Sequence, residues 1–220
     1  MMGIPVLVLG ASGSGKTAGL RNFAENEIGI FNVASKPLPF RKKLPKVDGA
    51  SYQQIAEGIK HSPLKVFAID DSQYLQVFEN FRRAKEIGYT KFVDMALAEN
   101  NLIQFVIRNT SPDVIVYFLR HVEEFDDGRV RAKTIGKMLD NQLGGLEGLF
   151  AIVLFARTDG KDHWFETQSD GYTSAKTPME MFDSLKIPND LKEVDKTIRE
   201  YYELGERDER EKEVQGKSGK

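Results

Sequence analysis

The sequence contains no cysteine, which excludes a disulfide framework, a thiolate metal site and a cysteine nucleophile. Its three histidines (His61, His121 and His163) are scattered, and that spacing argues against a zinc enzyme. No apolar run approaches the roughly 18 residues of a membrane span, and the N-terminus lacks the pattern of a signal peptide. We therefore expect a protein of a reducing compartment with no membrane partner.

The sequence also has little excess charge of either sign. Its 31 Lys and Arg against 33 Asp and Glu give a formal net charge of −2, which excludes an overall cationic coat but leaves room for a local basic patch. The remaining composition, 40% hydrophobic and 29% charged, is typical of a globular protein. We expect one domain over residues 1–204 and a charged, disordered tail over residues 205–220.

Short apolar runs alternate with segments of helical spacing through the first 125 residues, which predicts parallel β-α-β units. Predicted strands cover residues 4–9, 28–33, 64–69, 113–121 and 150–155. Predicted helices cover residues 16–24, 51–61, 73–86, 91–109 and 191–204, the last one capped by Asn189. The turn signal at residues 158–161 predicts an antiparallel hairpin. The fold class is thus α/β, with a mostly parallel sheet flanked by helices and an antiparallel hairpin extension at one edge.

Residues 10–17, Gly-Ala-Ser-Gly-Ser-Gly-Lys-Thr, match the phosphate-binding motif G-x-x-x-x-G-K-[ST] in full, between a predicted strand and a predicted helix. The glycines of this motif let backbone N–H groups converge on phosphate oxygens, and the dipole of the helix favours the anion. We expect Lys16 to contact the β- and γ-phosphates and Thr17 to ligate Mg²⁺. The predicted nucleotide-binding residues are Gly10, Ser12, Gly13, Ser14, Gly15, Lys16 and Thr17. The alternative, a glycine-rich turn that binds nothing, is disfavoured by the complete motif.

Three polar side chains follow predicted strands near this motif. Asp70 ends the apolar run 66–69 and is predicted to ligate Mg²⁺, although an aspartate there can also cap the next helix. Asp71 either orients the attacking water or caps the helix from residue 72. His121 either senses the γ-phosphate or is a loop histidine with satisfied hydrogen bonds. With Lys16, these three residues are the candidate catalytic residues.

Later segments add a family resemblance. They are Asn-Val-Ala-Ser-Lys-Pro-Leu-Pro-Phe (32–40), Phe-Ala-Ile-Asp-Asp-Ser (67–72), Arg-His-Val-Glu (120–123), Lys-Thr-Ile-Gly-Lys-Met-Leu-Asp (133–140), Ala-Lys-Thr-Pro (175–178) and Ile-Pro-Asn-Asp-Leu (187–191). In this order, over about residues 4–202, the chain resembles phage-encoded RecA-like ATPases of the Sak type, which are implicated in single-strand annealing recombination.

The resemblance implies a RecA-like core that hydrolyses ATP with Mg²⁺, binds single-stranded DNA and assembles into rings or filaments. It further implies the cytoplasm of a bacterial host, with other phage recombination or replication proteins as partners. One family feature is missing, because the strand that usually ends in a catalytic glutamate ends here in Asn32-Val33-Ala34-Ser35-Lys36. The general base therefore stays unassigned. A nucleotide-gated interaction module and another P-loop motor of phage DNA replication remain alternatives.

Two groups of cations extend the resemblance. RecA-like ATPases place DNA-binding loops after the strand that ends at His121, and the spacing of the cations there suits contact with a nucleic-acid backbone. These predicted DNA-binding residues are Arg129, Arg131, Lys133 and Lys137, and a solvated surface loop is the alternative. Arg157 and Lys176 are predicted to reach a neighbouring subunit's γ-phosphate, or else are plain surface charges. The other basic stretch, residues 36–46, holds three prolines and is interpreted as a packing segment.

Overall fold

The computed structural model of the chain describes residues 2–204, apart from the side chains of residues 140, 141 and 143. The tail predicted over residues 205–220 lies outside this range. The strands are β1 (Ile4–Leu9), β2 (Ile28–Asn32), β3 (Lys46–Asp48), β4 (Val66–Asp70), β5 (Ile115–Arg120), β6 (Val122–Glu124), β7 (Val130–Ala132), β8 (Ile152–Thr158), β9 (His163–Glu166) and β10 (Lys186–Pro188). The helices are α1 (Tyr52–His61), α2 (Gln73–Arg82), α3 (Thr90–Asn109), α4 (Met138–Leu143) and α5 (Leu191–Tyr201), and two 3₁₀ segments cover Thr17–Leu20 and Leu146–Leu149.

Eight of the described strands form one mixed sheet in the order β10-β9-β8-β1-β5-β4-β2-β3. The six strands from β8 to β3 run parallel, whereas β9 pairs antiparallel with both β8 and β10. Strands β6 and β7 form a separate antiparallel hairpin. The predicted α/β class, the mostly parallel sheet and the hairpin at one edge are therefore confirmed.

The central strands are buried on both faces, which explains their continuous apolar runs. Alternate side chains of β1 enter two different core clusters: Leu7 and Leu9 pack on the side of α1 and α3, and Val6 and Val8 pack on the side of α5. All four side chains are fully buried. The period of two along the strand thus builds a three-layer arrangement with β1 at its centre.

The parallel strands bring their carboxyl ends to one edge of the sheet. In the register, Leu9 of β1 lies beside Arg120 of β5, and Asp70 of β4 lies beside Asn32 of β2. The chain leaves β1 towards β2 on one side and returns to β8 on the other side. Ligands of open α/β sheets bind in the crevice at such a reversal, so this edge is where a site is expected.

Two local predictions are wrong, one directly after the glycine-rich motif and one at the start of α5. The helix predicted over residues 16–24 is only the 3₁₀ turn Thr17–Leu20, because the backbone N–H groups that follow it bond three residues back, as Arg21 N does to Ala18 O. Side chains then tie this segment to the start of α5. Arg21 Nη1 donates to Asn189 O at 2.6 Å, and Asn22 Nδ2 donates to Asp190 Oδ2 at 2.5 Å. Asn189 is also not the cap of α5, since Asp190 Oδ1 accepts from Lys192 N at 3.0 Å.

Strand β10 and helix α4 have no counterpart among the sequence predictions, because each is too short to leave a periodic apolar pattern. The proline-containing stretch 36–46 is irregular up to the edge strand β3, as its composition predicts. Among residues 2–204, none of the helices is both long and apolar enough to cross a membrane.

Candidate functional site

The glycine-rich motif forms a tight loop directly after β1. Gly13 and Gly15 have φ angles of +79° and +93°, a conformation that disfavours other residues. A Cβ on Gly10 would lie 2.8 Å from the backbone Ala156 O of β8, so only glycine fits where the loop passes this strand. Ser14 Oγ is buried and has no hydrogen-bond partner among the described residues. A buried hydroxyl of this kind is available to a ligand in the loop.

Lys16 points back into this loop. Its Nζ donates to Gly10 O and Ala11 O, both at 2.8 Å, and the residue is only 6% exposed. Burial lowers the pKa of Lys16 to about 8, although the nearby carboxylates of Asp71 and Asp70 oppose this shift. Two carbonyl oxygens do not neutralise an ammonium charge. An anion that enters the loop would supply the counter-charge that the buried Lys16 lacks.

Thr17 and Asp70 meet although 53 positions separate them. Thr17 Oγ1 donates to Asp70 Oδ1 at 2.8 Å, at the carboxyl end of β4. Asp70 is 6% exposed, and this burial raises its pKa to about 6. A hydroxyl beside a carboxylate fits Mg²⁺, whose other ligands in such sites are phosphate oxygens and water. When bound, Mg²⁺ would neutralise charge on the phosphates, and Thr17 and Asp70 are the residues that would hold it.

Asp71 adopts a strained backbone conformation, with φ of +56°. Its Oδ2 accepts from Lys36 Nζ at 2.6 Å, and its Oδ1 lies 3.2 Å from His121 Nε2. Burial alone would raise the pKa of Asp71, but the hydrogen bonds from His121 and Lys36 outweigh it and lower the pKa to about 2. The carboxylate therefore faces Lys36 and His121 in the cleft.

His121 follows β5, which lies between β1 and β4 in the sheet. Two hydrogen bonds hold its backbone in place: His121 N donates to Gln73 Oε1 at 3.2 Å, and His121 O accepts from Lys133 N at 2.9 Å. The imidazole contacts Asp71 and lines the same cleft as the glycine-rich loop. The ring is therefore positioned beside the loop, as the sensor interpretation requires.

A buried polar cluster fixes the residue just before His121. Arg120 Nη1 donates to Glu99 Oε1 at 2.5 Å, with both side chains fully buried. The guanidinium also donates to Lys133 O at 2.8 Å and to Gln76 Oε1 at 3.1 Å. Glu99 Oε2 in turn accepts from Tyr52 OH at 2.9 Å. This cluster, which the sequence motifs do not reveal, joins the end of β5 to helices α1, α2 and α3.

The cleft at this edge has a volume of about 390 Å³. Its lining residues are Ser12, Gly13, Gly15, Lys16, Thr17, Ala18, Lys36, Pro37, Pro39, Asp70, Asp71, His121 and His163. The structure thus brings the four candidate catalytic residues together. It adds Lys36, which was assigned to a packing segment, and His163, whose Nδ1 lies 3.2 Å from Ser14 O. Among the described residues, no cluster of three or more metal-ligating side chains occurs.

The predicted DNA-binding residues lie on the β6–β7 hairpin and the loop after it. Arg129 is paired with Asp127, its Nε 2.6 Å from Oδ2, and Arg131 stands opposite Glu123 in the ladder. Lys133 and Lys137 are exposed. The hairpin therefore carries charges of both signs, and Lys133 and Lys137 are the exposed lysines of the loop after it.

The predicted intersubunit cations lie on the β8–β9 side of the sheet. Arg157 Nε is 3.1 Å from Glu166 Oε2, and its guanidinium lies 4.6 Å from the ring centroid of Phe155. Lys176 forms an isolated bridge with Val153 of β8. Neither residue lines the described cleft of their own chain.

Comparison with protein-family models and with curated proteins finds no match to the chain. Its function is therefore inferred from the residues of the cleft and their chemistry.

Proposed function

We propose that the chain binds ATP together with Mg²⁺ in the cleft at the carboxyl edge of the sheet and hydrolyses it. The observation that carries this proposal is the 2.8 Å hydrogen bond between Thr17 and Asp70 beside the glycine-rich loop. Two segments far apart in sequence supply the hydroxyl and the carboxylate that a phosphate-bound Mg²⁺ uses. Lys16, in the same cleft, supplies the cation for the phosphates.

Each group has a task in this proposal. The backbone N–H groups of residues 13–17 cradle the phosphates, and Lys16 exchanges its two carbonyl partners for phosphate oxygens. Asp71 and His121, held 3.2 Å apart, are the pair available to orient a water molecule near the terminal phosphate. Because the pKa of Asp71 is low, its carboxylate would stay ionised and accept a hydrogen bond from this water without taking up the proton.

The biological task follows from the family resemblance and is part of the same proposal: a RecA-like ATPase of phage recombination that binds single-stranded DNA as an oligomer. The position of β5 between β1 and β4 supports it, because His121 at the end of β5 then lies at the same edge of the sheet as the loop. Lys133 makes this link directly through its hydrogen bond to His121 O. ATPase activity without stimulation by single-stranded DNA would instead favour an interaction module or another motor.

Substitution of Lys16 tests the proposal. We expect Lys16→Ala to lose binding of a fluorescent ATP analogue, since the main charge facing the phosphates is removed. Asp70→Asn should keep part of this binding and lose Mg²⁺-dependent turnover. Lys60→Ala, an exposed lysine of α1, is the matched control and should behave as wild type. Equal turnover in wild type and Lys16→Ala would refute the site.

A further inference from the structure

The cleft holds a second lysine whose position the nucleotide motifs do not explain. Lys36 follows β2, and its side chain is 54% exposed, with Nζ 2.6 Å from Asp71 Oδ2. The ammonium also lies 4.9 Å from the ring centroid of Tyr74. Among the described residues, Lys16 and Lys36 are the two lysines that line the cleft.

The backbone around Lys36 is fixed in place. Asn32, at the end of β2, donates from Nδ2 to Lys36 O at 2.7 Å and to Asp48 Oδ1 at 2.5 Å. Ser35 has a φ of +56°, a strained conformation for a residue with a side chain. A lysine that only faces solvent needs neither the strained turn nor the buried asparagine, and this combination aims the Lys36 side chain into the cleft.

The sheet order sets the direction from which Lys36 enters. Lys16 belongs to the loop after β1, Asp70 ends β4, and Lys36 follows β2, which is the neighbour of β4 on the far side from β1. A phosphate chain that runs from the loop towards Asp70 therefore meets Lys16 first. Lys36 approaches the end of that chain from the opposite side, beyond the two aspartates.

We propose that Lys36 binds the terminal phosphate of a nucleoside triphosphate in its own subunit, leaving Asp71 to His121 when the nucleotide enters. This inference rests on the proposed nucleotide site and adds how that site distinguishes a triphosphate from a diphosphate. A terminal phosphate is a stronger partner for an ammonium group than a single carboxylate, because it offers more negative charge and more acceptor oxygens. Asp71 keeps a partner after the exchange, since the imidazole of His121 already contacts its other oxygen.

The test compares the dissociation constants of Mg·ATP and Mg·ADP by isothermal titration calorimetry. Lys36→Ala should weaken ATP by about tenfold or more, the loss of one charge-assisted contact, and ADP by less than about twofold. Lys36→Arg should keep most of the preference for ATP. Lys43→Ala is the matched control, because it removes an exposed lysine from the same segment, and its ratio should equal that of wild type.

A purely structural role of Lys36, as the neutralising partner of Asp71, gives a different result. In that case Lys36→Ala weakens ATP and ADP alike, and an unchanged ratio in a folded variant overturns the inference. If Lys36→Ala does not fold, Lys36→Gln, which keeps much of the side-chain volume, is measured in the same way, with circular dichroism to check folding. If wild type binds neither nucleotide, the proposed function fails as well.

A mixing experiment asks which subunit the lysine serves. Lys36→Ala and Lys16→Ala each damage the same site, so a mixture of the two proteins should show no more turnover than the sum of its parts. Recovery of turnover in the mixture would place Lys36 at a neighbour's nucleotide and overturn the assignment to its own subunit.

Discussion

Removal of one charge from the buried Glu99–Arg120 pair is expected to be among the most destabilising changes in the chain. Both side chains are fully buried, and the pair is joined at 2.5 Å. In Glu99→Gln the volume is kept, but the guanidinium of Arg120 stays buried without a counter-charge. The loss of one partner from such a pair costs about 3–5 kcal/mol of the free energy of unfolding.

The remaining contacts of Arg120 do not change this magnitude much. Its bonds to Lys133 O and Gln76 Oε1 satisfy N–H groups, but they provide no negative charge. The apolar double variant Glu99→Leu/Arg120→Met removes both charges at once. Its free energy of unfolding should therefore be much closer to that of wild type. Glu99→Gln thus leaves a buried charge without its counter-charge, whereas the double variant leaves no charge but removes the partners of Tyr52 OH and Lys133 O.

Urea unfolding followed by far-ultraviolet circular dichroism provides the measurement, with the slope of the transition compared between variants. Glu79→Gln is the control, since it removes the partner of Arg82 on the exposed surface of α2 and should cost no more than about 1 kcal/mol. The reasoning is refuted if Glu99→Gln costs as little as this control, or if the double variant is as unstable as the single one.

Three further outcomes are expected. Lys133→Ala/Lys137→Ala should flatten the salt dependence of single-stranded DNA binding, measured by fluorescence anisotropy, by about one to two units, with nucleotide affinity unchanged; an unaltered slope would leave the loop as plain surface. Arg157→Ala or Lys176→Ala should lower hydrolysis without weakening nucleotide binding, and full activity of a strict monomer would contradict this. Hydrogen bonds from the backbone N–H of Ala24 and then from Lys192 hold the pKa of Glu27 below its ordinary value of 4.5. The ionised Glu27 therefore adds to the free energy of unfolding above that pH, and this contribution is lost as the pH falls. Glu27→Gln should therefore cost about 0.5 kcal/mol at pH 7 and less at pH 3 in urea unfolding, and an equal cost at both pH values would disprove the link.

The parts of the site that follow from local chemistry could be predicted from the sequence. A glycine-rich loop after a buried strand has one arrangement that suits phosphate, and an aspartate at the end of a neighbouring parallel strand has to lie at the same edge. Thr17 and Asp70 are accordingly found in contact. The central strands could be predicted as well, because strands buried on both faces have continuous apolar runs in the sequence.

The other parts depend on contacts between distant segments, which no local pattern records. Lys36 enters the cleft because of the turn at Ser35 and its bond from Asn32, and in the sequence it is one cation in a basic, proline-containing stretch. His163 reaches the loop from a position 149 residues away. The helix expected after Lys16 is only a 3₁₀ turn, and the bonds that tie the segment after it to the start of α5 leave no mark on the local sequence pattern.

The packing of α5 against the glycine-rich loop has a consequence for biosynthesis. Asn189 Nδ2 donates to Gly15 O at 3.1 Å, and Leu191 fills the space beside Gly19. The loop leaves the ribosome well before these partners, since Asn189 follows Gly15 by 174 positions. Domains generally fold as units during synthesis, and contacts this far apart in sequence form slowly. A nascent chain halted before residue 189 therefore carries the entire motif without the support that shapes it, and we expect nucleotide binding to begin only when synthesis of the fold is nearly complete.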